Sequence, residues 1–207
     1  MLITVADPLR AGNELTYYPG ETTARMADVL LINKVNSASK DEVERVKANL
    51  ARINPTARIL LAESTVSVER GSSLRGKKVL LVEDGPTITH GGMMFGAASV
   101  AARENGVGGV VAAKGYAVGT IKSTFEKYPR LNEELPAMGY SPKQIKDLEA
   151  TINNADCDAV VSATPTDLRR LVNVNKPIFN VSYELKPVGS EFDAVIKKFA
   201  QKVKKSR

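Results

Sequence analysis

Strand-length apolar runs alternate with stretches of helical periodicity along this chain, and few folds accommodate that pattern. Strands are expected over 2–6, 28–33, 57–62, 78–83, 108–112, 158–163 and 177–183. Most are continuous apolar runs, such as Leu30-Leu31-Ile32 and Val79-Leu80-Leu81-Val82. Strands buried on both faces read this way. Between them, Ser39 reads as a helix cap with Glu42 three residues on, and Val43, Val46, Leu50 and Ile53 share one face before Asn54-Pro55 stops the helix. Ser141, Pro142 and Gln144 open another, with Ile145, Leu148 and Ile152 on its apolar face. A third is expected over 93–105, ended by Gly106. Alternation of this kind predicts an α/β protein with mostly parallel sheets.

At 207 residues the chain is one large domain or two small ones, and its 43% hydrophobic content supports a buried core. The polar stretch Glu69–Gly76 is the best boundary, giving domains over 1–75 and 76–207. Cys157 and His90 are the only residues of their kinds, which excludes a disulfide framework, a thiolate cluster and a zinc site. No apolar run is long enough to span a membrane, and the first residues lack the basic start of a signal peptide, so the expected compartment is the cytoplasm. The net charge of +6 is concentrated: residues 191–207 hold six basic side chains against Glu191 and Asp193. Such a tail is a solvated helix end rather than a nucleic-acid face.

Gly71 to Lys77 spells the spacing of a phosphate-binding P-loop, but it runs into a strand instead of leaving one. The helix N-terminus that would face the phosphates is therefore missing, and the segment reads as a turn.

Four segments do follow strands, where ligands of open α/β sheets bind. After strand 2–6, Asp7 and Arg10 are candidate catalytic residues, Asp7 as a magnesium ligand and Arg10 as a phosphate ligand; alternatively, Asp7 caps a turn and Arg10 is a surface charge. After strand 28–33, Asn33-Lys34-Val35-Asn36 resembles a guanine-reading motif, with Asn36 where an acid would accept two hydrogen bonds; Ser64 ends the next strand and lines the same pocket. After strand 78–83, the loop Asp84–Gly92 offers Asp84, Thr87, Thr89, Gly91 and Gly92 to a phosphate, with His90 as ligand or general acid. After strand 158–163, Thr164 reads as a cap and Pro165 as the first helical residue, with Arg169 and Arg170 facing either an acidic ligand or solvent.

Taken together and in order, A-D-P-x-R-x-G-x-E, Y-Y-P-G-E-T, I-N-K-V, V-E-D-G-P-T-x-T-H-G, Y-A-V-G-x-I, F-E-K-Y-P, P-A-M-G-Y, T-I-N-N-x-D-C-D and T-P-x-D-L-R-R resemble the predicted GTPases related to cyclic 2,3-diphosphoglycerate synthetase. The resemblance runs from Leu2 to about Tyr183. It implies the back half of a P-loop NTPase-like domain followed by a Rossmann-like domain. The P-loop itself would lie in a further N-terminal half. The implied activity is ligase-type closure of 2,3-diphosphoglycerate to its cyclic pyrophosphate, driven by ATP (or GTP) with Mg²⁺. The implied assembly is a homo-oligomer or a partnership with a P-loop-bearing chain. Asn36 weakens the case for guanine and favours ATP. The rival reading is a non-catalytic nucleotide or metabolite binder.

Overall fold

The computed structural model describes residues 1–69, 74–91, 93, 95–139 and 141–205. In chain order its strands are β1 (Ile3–Ala6), β2 (Val29–Ile32), β3 (Arg58–Val68), β4 (Lys78–Asp84), β5 (Gly109–Val110), β6 (Glu134–Ala137), β7 (Ala159–Ala163) and β8 (Ile178–Pro187). Its α-helices are α1 (Asn13–Thr16), α2 (Gly20–Met26), α3 (Lys40–Ile53), α4 (Gly85–Ile88), α5 (Ala97–Glu104), α6 (Gly119–Lys127), α7 (Pro142–Asn154) and α8 (Glu191–Lys205). The α/β class expected from the sequence is the class observed, and the β1–β2, β2–β3, β4–β5, β4–β6, β4–β7 and β7–β8 pairs are all parallel. No helix among the described residues is long and apolar enough to cross a membrane.

The chain divides into two compact units, Met1–Thr65 with Glu184–Arg207, and Val66–Tyr183. In the first, β1, β2 and β3 form a parallel sheet. Leu30 and Ile32 point to α3, where they meet Val43, Val46 and Leu50. Val29 and Leu31 point to the other face, to Val195 of α8. That two-sided burial is why β2 carries no polar residue, each buried Leu or Ile contributing about 1.5–3 kcal/mol. Helix α3 starts where expected: Ser39 Oγ accepts from Glu42 N at 3.2 Å, and the Glu42 carboxylate accepts from Ser39 N at 2.9 Å. Buried Asn54 closes the region, its amide donating to the carbonyls of Ala24 and Ala27, both at 2.9 Å, which satisfies the end of α2.

In the second unit β4 is central. It has β7 on one edge and, on the other, β5 beside Lys78–Val79 and β6 beside Leu81–Asp84. Leu80 and Val82 face Ile121, Phe125, Leu148 and Ile152 of α6 and α7. Val79 and Leu81 face Ala98, Ala101 and Ala102 of α5.

Four features differ from the sequence expectations. The single cut near residue 75 is replaced by two crossings, because β3 and β8 each run from one unit into the other and residues 184–207 return to the first. The return is driven by the apolar stripe of α8, whose Phe192 and Val195 join Ile3, Val29 and Leu31. Residues 70–73 of the expected boundary, including the start of the P-loop-like spacing, lie outside the described residues. The helix expected from residue 93 begins only at Ala97, since the chain leaves β4 directly into α4 with Asp84 as its cap. Thr164 caps nothing: Asp167 caps a single turn, Leu168–Arg170, through the amide of Arg169. Strand β6 is not among the expected strands; its Pro136 is tolerated because β6 pairs only with β4 among the described residues.

Candidate functional site

In the first unit the chain leaves β1 at Asp7, which caps the turn Pro8–Arg10 by accepting from Leu9 N at 3.1 Å through Oδ1. Its other oxygen, Oδ2, accepts from Lys34 Nζ at 2.7 Å and from the Arg10 guanidinium at 3.2 Å. Lys34 follows β2 with φ +59, a region sparsely populated by residues other than Gly. The cause is visible on either side of it. Asn33 N donates to Ala6 O at 3.0 Å and Val35 N to Ala62 O at 3.2 Å, so the end of β2 is tied to both neighbouring strands and Lys34 must turn between them. Backbone held in such a conformation clusters at ligand sites. Asn33 Oδ1 is buried with no hydrogen-bond partner among the described residues. The loop after β1 is braced by α3, Arg45 donating to Ala11 O and Asn49 to the Glu14 carboxylate at 2.7 Å.

The structure thus gathers Asp7, Arg10, Asn33 and Lys34 at the carboxyl ends of parallel strands, with one positive charge in excess. Asn36 and Ser64 also meet, but on each other: Asn36 Nδ2 donates to Ser64 O at 3.1 Å and Ser64 N donates to Asn36 Oδ1 at 3.0 Å. Both ends of the Asn36 amide are spent clamping its loop to β3. The carboxylate of Asp7 is a poor direct ligand for Mg²⁺ in this arrangement, since one oxygen serves an amide and the other two cations. No group of three metal-binding side chains occurs among the described residues.

The second unit places a different chemistry at the end of β4. Glu83 is buried, and Oε1 accepts from Ser99 N at 2.9 Å and Ser99 Oγ at 3.1 Å, in the first turn of α5. Burial pushes the Glu83 carboxyl above its ordinary range, against the opposing pull of the Ser99 and Ala98 amides. Glu134, half-buried on β6, is pushed up for the same reason. Gly96 is required here, because a side chain on it would run into the Glu83 carboxylate. Asp84 accepts from Thr87 Oγ1 at 2.6 Å and Thr87 N at 3.3 Å. Thr89 donates to Gly85 O through both N, at 3.0 Å, and Oγ1, at 2.6 Å, and Gly91 N donates to Pro86 O at 2.8 Å.

The donors of Thr87, Thr89 and Gly91 are therefore turned onto acceptors of the loop itself, and Glu83 and Asp84 occupy the helix N-termini where an anion was expected. Exposed His90 meets Tyr128 Oη at 3.1 Å. Gly92 lies outside the described residues. Arg130 donates to the carbonyls of Ile88 and Thr89. Arg169 is engaged by two carboxylates, with Asp167 at 2.9 Å and Glu69 at 2.9 Å. The pair holds Asp167 well below the usual carboxylate range. Arg170 is exposed and makes no ion pair among the described residues.

Glu83 is the residue that sequence reasoning missed. Its signal was an acid directly after the buried apolar run Val79–Val82.

No protein-family model matches the chain. It is 48% identical over 204 residues to a Thermococcus kodakarensis protein described as arginine synthetase ArcE, a match covering 98% of this chain and 46% of that protein. The chain spans about half the length of the curated relative it matches.

Proposed function

We propose that this chain is one portion of a nucleotide-dependent ligase of the arginine synthetase kind, and that the strand ends of its first unit line part of the nucleotide site. The observation that carries the reading is the 48% identity sustained over 98% of the chain. The cationic cluster on Asp7, at the ends of parallel strands, supports the place.

Ligases of this class transfer a phosphoryl group to an oxygen of one substrate, and a second group then displaces it. Such steps depend on positioning and on cations rather than on a protein nucleophile. In this chain Asp7 fixes the Lys34 ammonium and the Arg10 guanidinium in one place, so both positive ends are oriented before ligand arrives. Asn33 Oδ1 offers an unmet acceptor to a donor of the base or ribose. Asn36 and Ser64 shape the loop without touching the base. The phosphate cradle comes from a P-loop carried by the rest of the enzyme. Mg²⁺, when bound with the triphosphate, would supply charge neutralisation.

Closure of 2,3-diphosphoglycerate, the activity implied by the family resemblance, is the second reading. Exposed His90 and Arg170 favour it. The remaining cations and amides around β4 favour a less anionic substrate, because Arg130, Arg169, Thr87, Thr89 and Gly91 are all engaged internally.

The test joins this chain to the part of the Thermococcus protein that it does not match and measures product formation with ATP and Mg²⁺. Nucleotide-dependent arginine formation is expected, reduced at least about tenfold by Lys34→Ala, or roughly 1.4 kcal/mol. Formation of the cyclic pyrophosphate without arginine would support the second reading. No turnover by the hybrid, beside an active parent enzyme, overturns the proposal.

A further inference from the structure

Helix α8 lies over the amino ends of β2 and β3, and an open groove of about 690 Å³ runs between helix and strands. Its lining belongs to the first unit alone. Buried Val29 and Val195 form the floor, and Phe199, 39% exposed, forms an apolar wall. The groove and the cluster on Asp7 are separate sites, because the chain rises about 13 Å between Val29 at one end of β2 and Asn33 just past the other.

Cations gather around this apolar floor. Lys198, Lys202 and Lys205 share one face of α8 by their spacing of four and three residues, and Arg58, the first residue of β3, lines the same groove. Among the described residues the one acid in the lining is Asp28, whose Oδ2 accepts from Leu2 N at 2.6 Å. Arg58, Lys198 and Lys205 make no ion pair among the described residues. Attraction to the carboxyl end of α8 accounts for lysines in its last turn. It does not account for Arg58, which belongs to a strand, or for neighbouring like charges on one helix face, which repel each other. An anion seated among them removes that repulsion, and an apolar part attached to it covers Phe199.

Size and charge select the occupant. The volume falls inside the roughly 300–1,000 Å³ of small-molecule sites. Two turns of a helix about 10–12 Å across displace roughly 1,000 Å³, more than the groove holds. A bilayer surface cannot reach a floor lying between helix and strand, and the basic border repels a second copy of α8. We propose that the groove binds a small organic anion with a hydrocarbon body, of the alkyl phosphate or acyl carboxylate class. Arg58, Lys198 and Lys205 hold the charged head, and the chain lies on Val29, Val195 and Phe199. The ligand sits at the opposite ends of the strands from Asp7 and is not a reactant there, so the inference stands apart from the ligase reading.

The experiment titrates the purified chain calorimetrically with octyl phosphate and with its two halves, inorganic phosphate and octanol. Octyl phosphate is expected to bind one-to-one and at least about tenfold more tightly than either half. Amide chemical shifts should move at Val29, Arg58 and Phe199. Two variants separate head from chain. The double substitution Arg58→Gln with Lys198→Gln should weaken octyl phosphate at least about tenfold and leave octanol unchanged. Phe199→Ser should weaken both. Circular dichroism checks that each variant is folded, and if Phe199→Ser is not, the charge variant and the shift map decide. Equal affinity for octyl phosphate and octanol, shifts confined to other segments, or binding indifferent to the folded variants overturns the proposal. Capture of the chain by anionic vesicles, or its self-association, overturns it as well if the same substitutions abolish it, since the groove then has a different occupant.

Discussion

Both units place carboxylates at the end of a parallel strand, and these carboxylates have opposite partners. Asp7 after β1 is held by side-chain cations, Lys34 and Arg10. Glu83 and Asp84 at the end of β4 are held by the backbone amides and hydroxyls of the helices that follow. In the first unit the positive groups belong to mobile side-chain types and can serve a ligand as well as Asp7. In the second, the helix N-termini that would attract an anion already have one. A glycine- and threonine-rich loop between strand and helix is therefore an anion site only when the protein has not supplied the anion itself.

The largest effect expected from breaking this contrast is on Glu83. Glu83→Ala strands the Ser99 amide and leaves a hole, costing about 2–3 kcal/mol in urea unfolding. Glu83→Gln keeps an acceptor for Ser99 and removes the titration. Because burial raises the Glu83 carboxyl above its unfolded value, the folded state holds the proton longer. Its contribution is present at low pH and is lost as pH rises from the ordinary carboxylate value through the raised one. The wild type should lose stability over that interval relative to Glu83→Gln.

A smaller effect separates the clamp from the reader in the first unit. Asn36→Asp loses the donor to Ser64 O and sets a carboxylate against that carbonyl, costing about 1 kcal/mol. It should not create guanine preference: the ratio of GTP to ATP affinity in the joined protein stays within about threefold, far from the roughly 1.4 kcal/mol of a tenfold change. A strong turn toward GTP would show that residue 36 faces the base.

Asp147 gives the reverse pH signature within the second unit. It accepts from Thr120 N and Thr120 Oγ1, both at 2.8 Å, at the start of α6, and from Lys143. The Thr120 amide, with Lys143 and the Thr120 hydroxyl, holds its carboxyl down at about 2. Its contribution is present above the ordinary value of 3.8 and is lost as pH falls toward about 2. Circular dichroism during acid titration should show Asp147→Asn flattening the profile in that window alone. Least of all should change in Arg170→Ala, whose thermal midpoint should correspond to a loss of no more than about 0.5 kcal/mol.

Strands β2 and β4 were legible because burial on two faces writes itself as apolar runs, as in Leu30–Ile32 and Val79–Val82. Helices α3 and α7 were legible because Ser39 and Ser141 use local capping chemistry. The return of α8 to the first unit was not, since an amphipathic helix does not state which sheet its stripe will meet. The spatial meeting of Asp7 with Lys34 was within reach, as both follow adjacent parallel strands. The closure of the Asp84–Gly91 loop was not, because Thr87 and Thr89 look the same in sequence whether they donate to a ligand or to Asp84 and Gly85.

Amide hydrogen exchange on the joined protein, with and without ATP and Mg²⁺, tests the central claim most directly. The account predicts nucleotide-dependent protection in the segments containing Asp7–Arg10 and Asn33–Asn36, with 84–91 already protected and unchanged. Protection confined to 84–91, with the first unit unaffected, would contradict it.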